Sequence, residues 1–331
     1  MDAKLRPKPE ILIAGAGIIG LSLALELQMR GFQVTVLERN TALQHASTAA
    51  AGMLAAEDPH NPPALLPLSR LSRSLYPAFL QRIETLSGLS VPFQTDLTIQ
   101  YMSDGSIQQL AEQSVDPRQL ATALLSAVRA TSIHLREHTE LRFVTEDHQA
   151  QLHAETNNGT FTPDKVIHTQ GAWAHPRVHP AKGQMLRVQL PATLPLREVH
   201  RSEHIYIVPR TQGPQAGTAL IGATVEDAGF DTRVHPVGLA HLRTLAAELL
   251  PQLADEAAAP QVEAWAGLRP ATVDSLPLLG PLSLDQFIAT GHFRNGILLA
   301  PATATVMADL IEGKFPAVDV APFSPARFPT A

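Results

Sequence analysis

The run Gly15-Ala16-Gly17-Ile18-Ile19-Gly20, followed by Glu38, is the part of this chain whose residue types and spacing most directly imply chemistry. In such a run the first glycine permits a tight turn, the second lets a phosphate approach the backbone, and the third lets a helix lie close to a sheet. The helix start then presents unpaired N–H groups and its positive dipole end to an anion. Glu38 suits a carboxylate that accepts hydrogen bonds from both ribose hydroxyls and repels a 2′-phosphate, which disfavours NADP. Arg39 beside it reads as a surface or adenine-side residue, with a phosphate contact as the alternative.

The glycine spacing acquires meaning only between a strand and a helix. Ile11 to Ala14 is a short apolar run, Ile18 to Met29 carries apolar residues at helical spacing before Gly31, and Val34 to Leu37 is again strand-like. This βαβ opening predicts a parallel sheet covered by helices and a dinucleotide cradle. By itself it does not separate FAD from NAD.

With 331 residues, 45% of them apolar, the chain can fill the core of two domains or of one elaborate domain. A net charge of −6 without long runs of one sign gives no footprint for nucleic acid or an anionic membrane. The absence of cysteine excludes disulfides, thiolate nucleophiles, cysteine metal sites and a cysteinyl-flavin bond. The histidine pairs 134/138, 175/179 and 200/204 have ligand-like spacing but no helical context, so no metal site is expected. Only Met1 to Pro9 precede the first strand, without a cleavable apolar core, and no apolar run is long enough to span a bilayer. The expected location is cytoplasmic.

Further along, Asp58 to Leu71 is Pro-rich and reads as a loop, and Ser72 to Leu86 as a helix. Asp116 and Pro117 form a cap and first position for a helix reaching Ala130. His134 to Leu152 suggests two strands, and Lys165 to Thr169 a strand ending at Gly171. Gln184 to Leu190, His204 to Pro209 and Thr218 to Thr224 predict an antiparallel sheet, with Lys182-Gly183-Gln184 as a turn leading into it. Leu239 to Leu250 is helical, Gln286 to Thr290 a strand and Ile297 to Ile311 a helix in which Pro301 fits the first turn. The Pro-rich tail from Pro316 is expected to be loose at its end.

Five ordered segments carry a family resemblance: Thr48-Ala49-Ala50-Ala51-Gly52-Met53-Leu54, Tyr206-Ile207-Val208-Pro209-Arg210, Gly222-Ala223-Thr224-Val225-Glu226-Asp227-Ala228-Gly229-Phe230-Asp231, Trp265-Ala266-Gly267-Leu268-Arg269-Pro270, and Gly291 to Pro301. Together they resemble the glycine oxidases of thiamine biosynthesis, within the D-amino acid oxidase group of flavoenzymes. The resemblance implies an α/β fold: a Rossmann-like FAD-binding domain on a parallel sheet (1–58, 115–178 and 262–331) and a smaller α+β substrate domain on an antiparallel sheet (59–114 and 179–261).

It also implies non-covalent FAD held by Gly15, Gly17, Ile18, Gly20, Glu38, Arg39, Thr48, Ala51, Gly52, Met53, the backbone near Leu141, Gly171, and the turn His292, Arg294, Asn295, Gly296, Ile297 and Leu298. A small amino acid and O2 are the expected reactants, with Tyr206, Arg269 and the Arg294 backbone as substrate contacts. His204 and Val225 flank the pocket, and no general base is expected. Two departures stand out: Val225 replaces a pocket methionine, and the stretch from Met102 to Val115 is shortened. The first brings in a D-amino acid or sarcosine-type oxidase with a wider pocket, and the second a catalytically silent flavoprotein module. The family's dimers or tetramers make a homo-oligomer the expected assembly.

Overall fold

The computed structural model describes residues 8–328. The strand Glu10–Ala14 is followed by helix α1, Ile18–Met29, and the strand Gln33–Leu37, as the opening pattern predicts. Glu10–Ala14 lies centrally in a six-stranded sheet, parallel to Gln33–Leu37 on one side and to Lys165–His168 on the other. Gln286–Thr290 extends the parallel run, and Leu278–Pro281 closes it antiparallel. The central strand is buried over Ile11 to Ala14, which explains its unbroken apolar run.

Gly20 performs the packing task that its spacing implies. A methyl added there would lie 2.0 Å from the Gly15 carbonyl oxygen and 2.7 Å from Thr169 Oγ1. Thr169 Oγ1 in turn donates to Gly15 O at 2.8 Å, tying the glycine turn to the neighbouring strand.

Between 46 and 130 the chain forms three helices: α2, Ala46–Ala49; α3, Leu66–Ser87; and α4, Pro117–Arg129. The α3 helix starts six residues before Ser72, because Pro67 sits in its first turn, where a missing N–H costs nothing. In α4 the Asp116 side chain accepts from the Arg118 N–H at 2.9 Å, the cap read from the sequence.

A seven-stranded sheet occupies the other part of the molecule. Its longest pair is His179–Gln189 against Gln261–Ala271, and it continues through Thr218–Gly222, Tyr206–Arg210, Val199–Arg201, Thr98–Tyr101 and Ile107–Leu110. Lys182-Gly183-Gln184 therefore lies within a buried strand rather than in a turn, since strand pairing carries straight through Pro180. The 102–115 region supplies the Ile107–Leu110 edge strand. Helix α5, Pro236–Leu249, packs on this sheet and buries Leu242 and Ala246 among Leu186, Ile207 and Ile221.

Helix α6, Gly296–Ile311, packs on α1 and α3. Pro301 is its sixth residue, not part of the first turn, so its missing N–H frees the Ile297 carbonyl four residues earlier. Tyr76 of α3 donates its hydroxyl to that carbonyl at 2.6 Å. Ser72 donates to Leu298 O at 2.6 Å and accepts from Ala302 N–H at 3.1 Å, inserting into the next rung. The tail also packs as far as it is described: Phe323 is buried, and Arg327 pairs with Asp274 at 2.8 Å. The end of the Pro-rich segment, 329–331, lies outside the described residues.

Replacing Tyr76 by Phe leaves the Ile297 carbonyl buried and unpaired, and is expected to cost about 1–3 kcal/mol. Chemical denaturation of the two proteins checks this.

Candidate active site

Segments around the six-stranded sheet and three strands of the seven-stranded sheet, Gln261–Ala271, His179–Gln189 and Tyr206–Arg210, converge on a cavity of about 420 Å³. At one end lie Gly15, Gly17, Ile18, Glu38 and Arg39. Glu38 Oε2 accepts from the Ala16 N–H at 3.0 Å and Oε1 from the Asn40 N–H at 3.0 Å, which fixes the carboxylate beside the glycine turn. Arg39 lies 4.0 Å over the Trp173 ring, and Trp173 stacks on Phe230 at 5.0 Å, so the guanidinium is held against an aromatic wall. Leu141 and Gly171 line the cavity nearby.

The middle is walled by Ala49, Ala50, Ala51, Gly52 and Met53. Gly52 has φ +88°, and an added methyl would meet the Val115 carbonyl oxygen at 2.0 Å. Three donors pin the carbonyls of this segment: Trp265 Nε1 to Ala49 O at 3.1 Å, Arg210 Nη2 to Ala51 O at 2.8 Å and Val115 N–H to Gly52 O at 2.9 Å. Burial pulls Arg210 down to about 10, against the pull of Asp116 in the other direction. His292, Arg294, Asn295, Gly296 and Ile297, at the start of α6, also line the cavity.

His292 is buried, and its Nε2 meets Thr303 Oγ1 at 3.0 Å. Burial pulls its pKa down to about 3, so the ring is neutral.

Arg269 and Tyr206 share the remaining end with Arg294. Arg269 donates to the carbonyls of Thr224 at 3.1 Å and Lys182 at 3.4 Å, and forms no ion pair with a carboxylate among the described residues. Burial of the guanidinium group lowers its pKa and Arg294 adds to this, while the Tyr206 hydroxyl beside it and Glu226 act in the opposite sense. Tyr206 also donates to Met185 Sδ at 3.2 Å. Gly183 makes room for the guanidinium: an added methyl would lie 2.3 Å from both Nη atoms. A half-buried cation on the cavity wall, with carbonyl and phenol partners but no carboxylate within ion-pair distance among the described residues, is a receptor for an anion, most naturally a planar carboxylate.

The profile of the FAD dependent oxidoreductase family matches residues 10–115 and 105–310. The chain belongs to this family of FAD-dependent oxidoreductases. It is 32% identical to a glycine oxidase of Geobacillus kaustophilus, covering 96% of this chain and 97% of that one. It is 35% identical to a bifunctional protein ThiO/ThiG of Trichormus variabilis, over 91% of this chain but only 52% of that protein, so the chain spans about half of this longer relative. The crystal structure of the Geobacillus kaustophilus glycine oxidase superposes with a TM-score of 0.88 at 30% identity, covering 98% of this chain and all of that one.

FAD, the cofactor of this family, matches the site in chemical character. Glu38 and the glycine turn offer a place for a ribose and a diphosphate, and the small residues 49–52 offer a flat wall for a ring system. Without cysteine in the chain, no cysteinyl-flavin bond can form.

Several expected residues stand off the cavity. Gly20 and Leu298 are buried in helix packing, and Thr48 is not among the lining residues. His204 is exposed, and Val225 is 65% exposed; neither lines the cavity. The neighbour of Arg269 in that segment is Thr224, because the backbone turns Val225 outward one residue later. Lining residues that the sequence reading missed include Ser47, whose Oγ accepts from the Ile18 N–H at 3.0 Å, together with Asp58 and Trp173. Ser47 adjoins the alanine-glycine segment and was within reach of that signal. Asp58 lay in a stretch read only as a Pro-rich loop.

Because His292 is neutral in the fold and free to protonate when unfolded, its contribution to stability is present above about pH 6.5 and declines as pH falls toward about 3. The loss from this one proton is about 1.4 kcal/mol per pH unit in that window. His292→Gln is expected to flatten this part of the stability profile relative to wild type. Parallel profiles for the two proteins would contradict the assignment.

Proposed function

We propose that this protein oxidises glycine, with sarcosine and small D-amino acids as related candidates, to the imine and then glyoxylate, releasing ammonia and peroxide. O2 is the electron acceptor, and the imine is the form usable for thiazole formation in thiamine biosynthesis. The carrying observation is the half-buried Arg269 guanidinium beside Tyr206, bonded to carbonyls and without a carboxylate within ion-pair distance among the described residues, on the wall of this cavity. The glycine oxidase relatives matched along nearly their whole length support the same reading.

Bound FAD would supply acceptance of a hydride equivalent from the substrate Cα and its return to O2. Arg269 grips the substrate carboxylate through two parallel N–H donors, and Tyr206 adds a hydroxyl to the same anion. This fixes the direction of the Cα–H bond, and orientation of this kind accounts for much of the rate. The Arg294 backbone is the proposed contact for the amine. No dedicated base is required if the free amine is the form that reacts. The N-terminal end of α6, near Gly296 and Ile297, favours negative charge that develops on the cofactor. The proposed cofactor contacts are otherwise those expected from the sequence, without Val225 and His204 as pocket residues.

The domain ranges expected above belong to this proposal, with the strand Gln261–Ala271 as the seam, because it carries Arg269 and pairs with His179–Gln189. A cytoplasmic setting and a homo-oligomer also belong to it. Val225 faces solvent, so it gives no support to a wider pocket.

Peroxide release measured with glycine, sarcosine, D-alanine and D-proline tests the reading. Glycine is the expected substrate, and no turnover of any of the four would overturn it. Arg269→Ala should retain flavin while losing about 100-fold or more in affinity for small carboxylates, as expected for removal of a two-point charged contact.

A further inference from the structure

Asp58 lines the same cavity as Arg269, Arg294 and Tyr206. Glu38 and Glu140 are the other carboxylates on the lining among the described residues; Glu38 belongs to the glycine turn, and Glu140 adjoins Leu141. Arg294 interacts electrostatically with both Asp58 and Arg269, so the three charges form one local set.

The Asp58 carboxylate is fixed from behind. Oδ1 accepts from the His60 N–H at 3.0 Å and meets His60 Nδ1 at 3.0 Å, while Oδ2 lies 3.7 Å from Arg201 Nη1. Arg201 is itself held: its Nε donates to Gln100 Oε1 at 2.5 Å, and its Nη1 lies 3.2 Å from Glu112 Oε2. The side chains of Arg201 and Glu112 are each only 1% exposed. Burial raises the Asp58 pKa, but Arg201, the His60 hydrogen bonds and Arg294 together outweigh it and leave the group below the usual carboxylate range. A fixed negative charge therefore faces the cavity, backed by an arginine with a second carboxylate of its own.

This distribution decides which anions the cavity accepts. Arg269 has no carboxylate within ion-pair distance among the described residues, only Glu226 in its field, which is off the lining and bonded to Gln184 and Thr224, so it takes its partner from the substrate; Arg294 has the fixed Asp58 carboxylate, on the lining itself, in its field. A second carboxylate on the substrate meets a compensated cation and a fixed anion. We propose that Asp58 is a specificity-determining residue that, by compensating Arg294, makes the cavity select amines bearing one carboxylate and reject those bearing a second anionic group. The choice of reacting substrate rests on the function proposed above, but the discrimination between anions does not.

The test uses the flavin-loaded enzyme titrated with acetate and with malonate, followed by the change in flavin absorbance, alongside peroxide assays with glycine and N-carboxymethylglycine. Asp58→Asn keeps the shape and leaves Arg201 paired with Glu112. It is expected to shift the malonate-to-acetate affinity ratio by about tenfold or more toward malonate, and to raise oxidation of N-carboxymethylglycine relative to glycine. An unchanged ratio, or equal weakening of both anions, would overturn the proposal. Arg294→Gln, an exposed position, gives an independent reading if the Asp58 variant does not fold. It should shift the ratio toward acetate, and a wild-type ratio would count against compensation. If glycine is not oxidised while the anion ratio shifts as expected, the proposed function fails and the role of Asp58 stands.

Discussion

The backbone of Ala49 to Gly52 is the joint on which the cavity depends. Its carbonyls are held by Trp265 and Arg210 of the seven-stranded sheet and by the Val115 N–H at the approach to α4. Each of these donors is itself tied down. Arg118 of α4 pairs with Glu263 at 2.9 Å and lies over the Trp265 ring, and Asp116, the α4 cap, lies 3.8 Å from Arg210. The wall between the glycine turn and Arg269 is thus set by a hydrogen-bonded seam between two sheets rather than by either sheet alone. Small side chains are required there because the two backbones approach closely: a methyl on Gly267 would lie 2.5 Å from the Ala49 methyl.

A second joint lies at the start of α6. Pro301 removes a rung of the helix ladder, and Tyr76 and Ser72 of α3 supply the missing partners. Pro301 would be a defect in an isolated helix, but here it allows two side chains to lock the first turns of α6 against the core. The residues that precede this point, His292 to Ile297, contribute to the cavity. Their placement follows from a helix start that has little freedom to move.

Charge is distributed to the same end. Arg210 and Arg201 are buried beside protein carboxylates, whereas Arg269 is half-buried on the cavity wall with no carboxylate within ion-pair distance among the described residues. Burial makes an unpaired cation costly, so the one left without a direct carboxylate partner is the proposed place for a ligand anion.

The opening strand, glycine turn, helix and acid were legible because every part of that device is local: periodicity, turn glycines and spacing lie within about thirty residues. The α4 cap was legible for the same reason. By contrast, the strands Phe93–Thr95, Val199–Arg201 and Gln261–Ala271 gave no reading of their own, because their partners are distant in sequence and their apolar residues do not alternate cleanly. The segment signatures pointed to Arg269, Tyr206 and the turn near Arg294 as site residues, but could not show which neighbours face inward. That separated Thr224 from Val225 and brought Asp58 out of a presumed loop onto the cavity wall. The sequence alone determined the dinucleotide cradle, the exclusion of a cysteinyl-flavin bond and the ordered family segments. The tertiary structure decided which charges face one another, because a side chain's partner depends on how sheets far apart in the chain pack together.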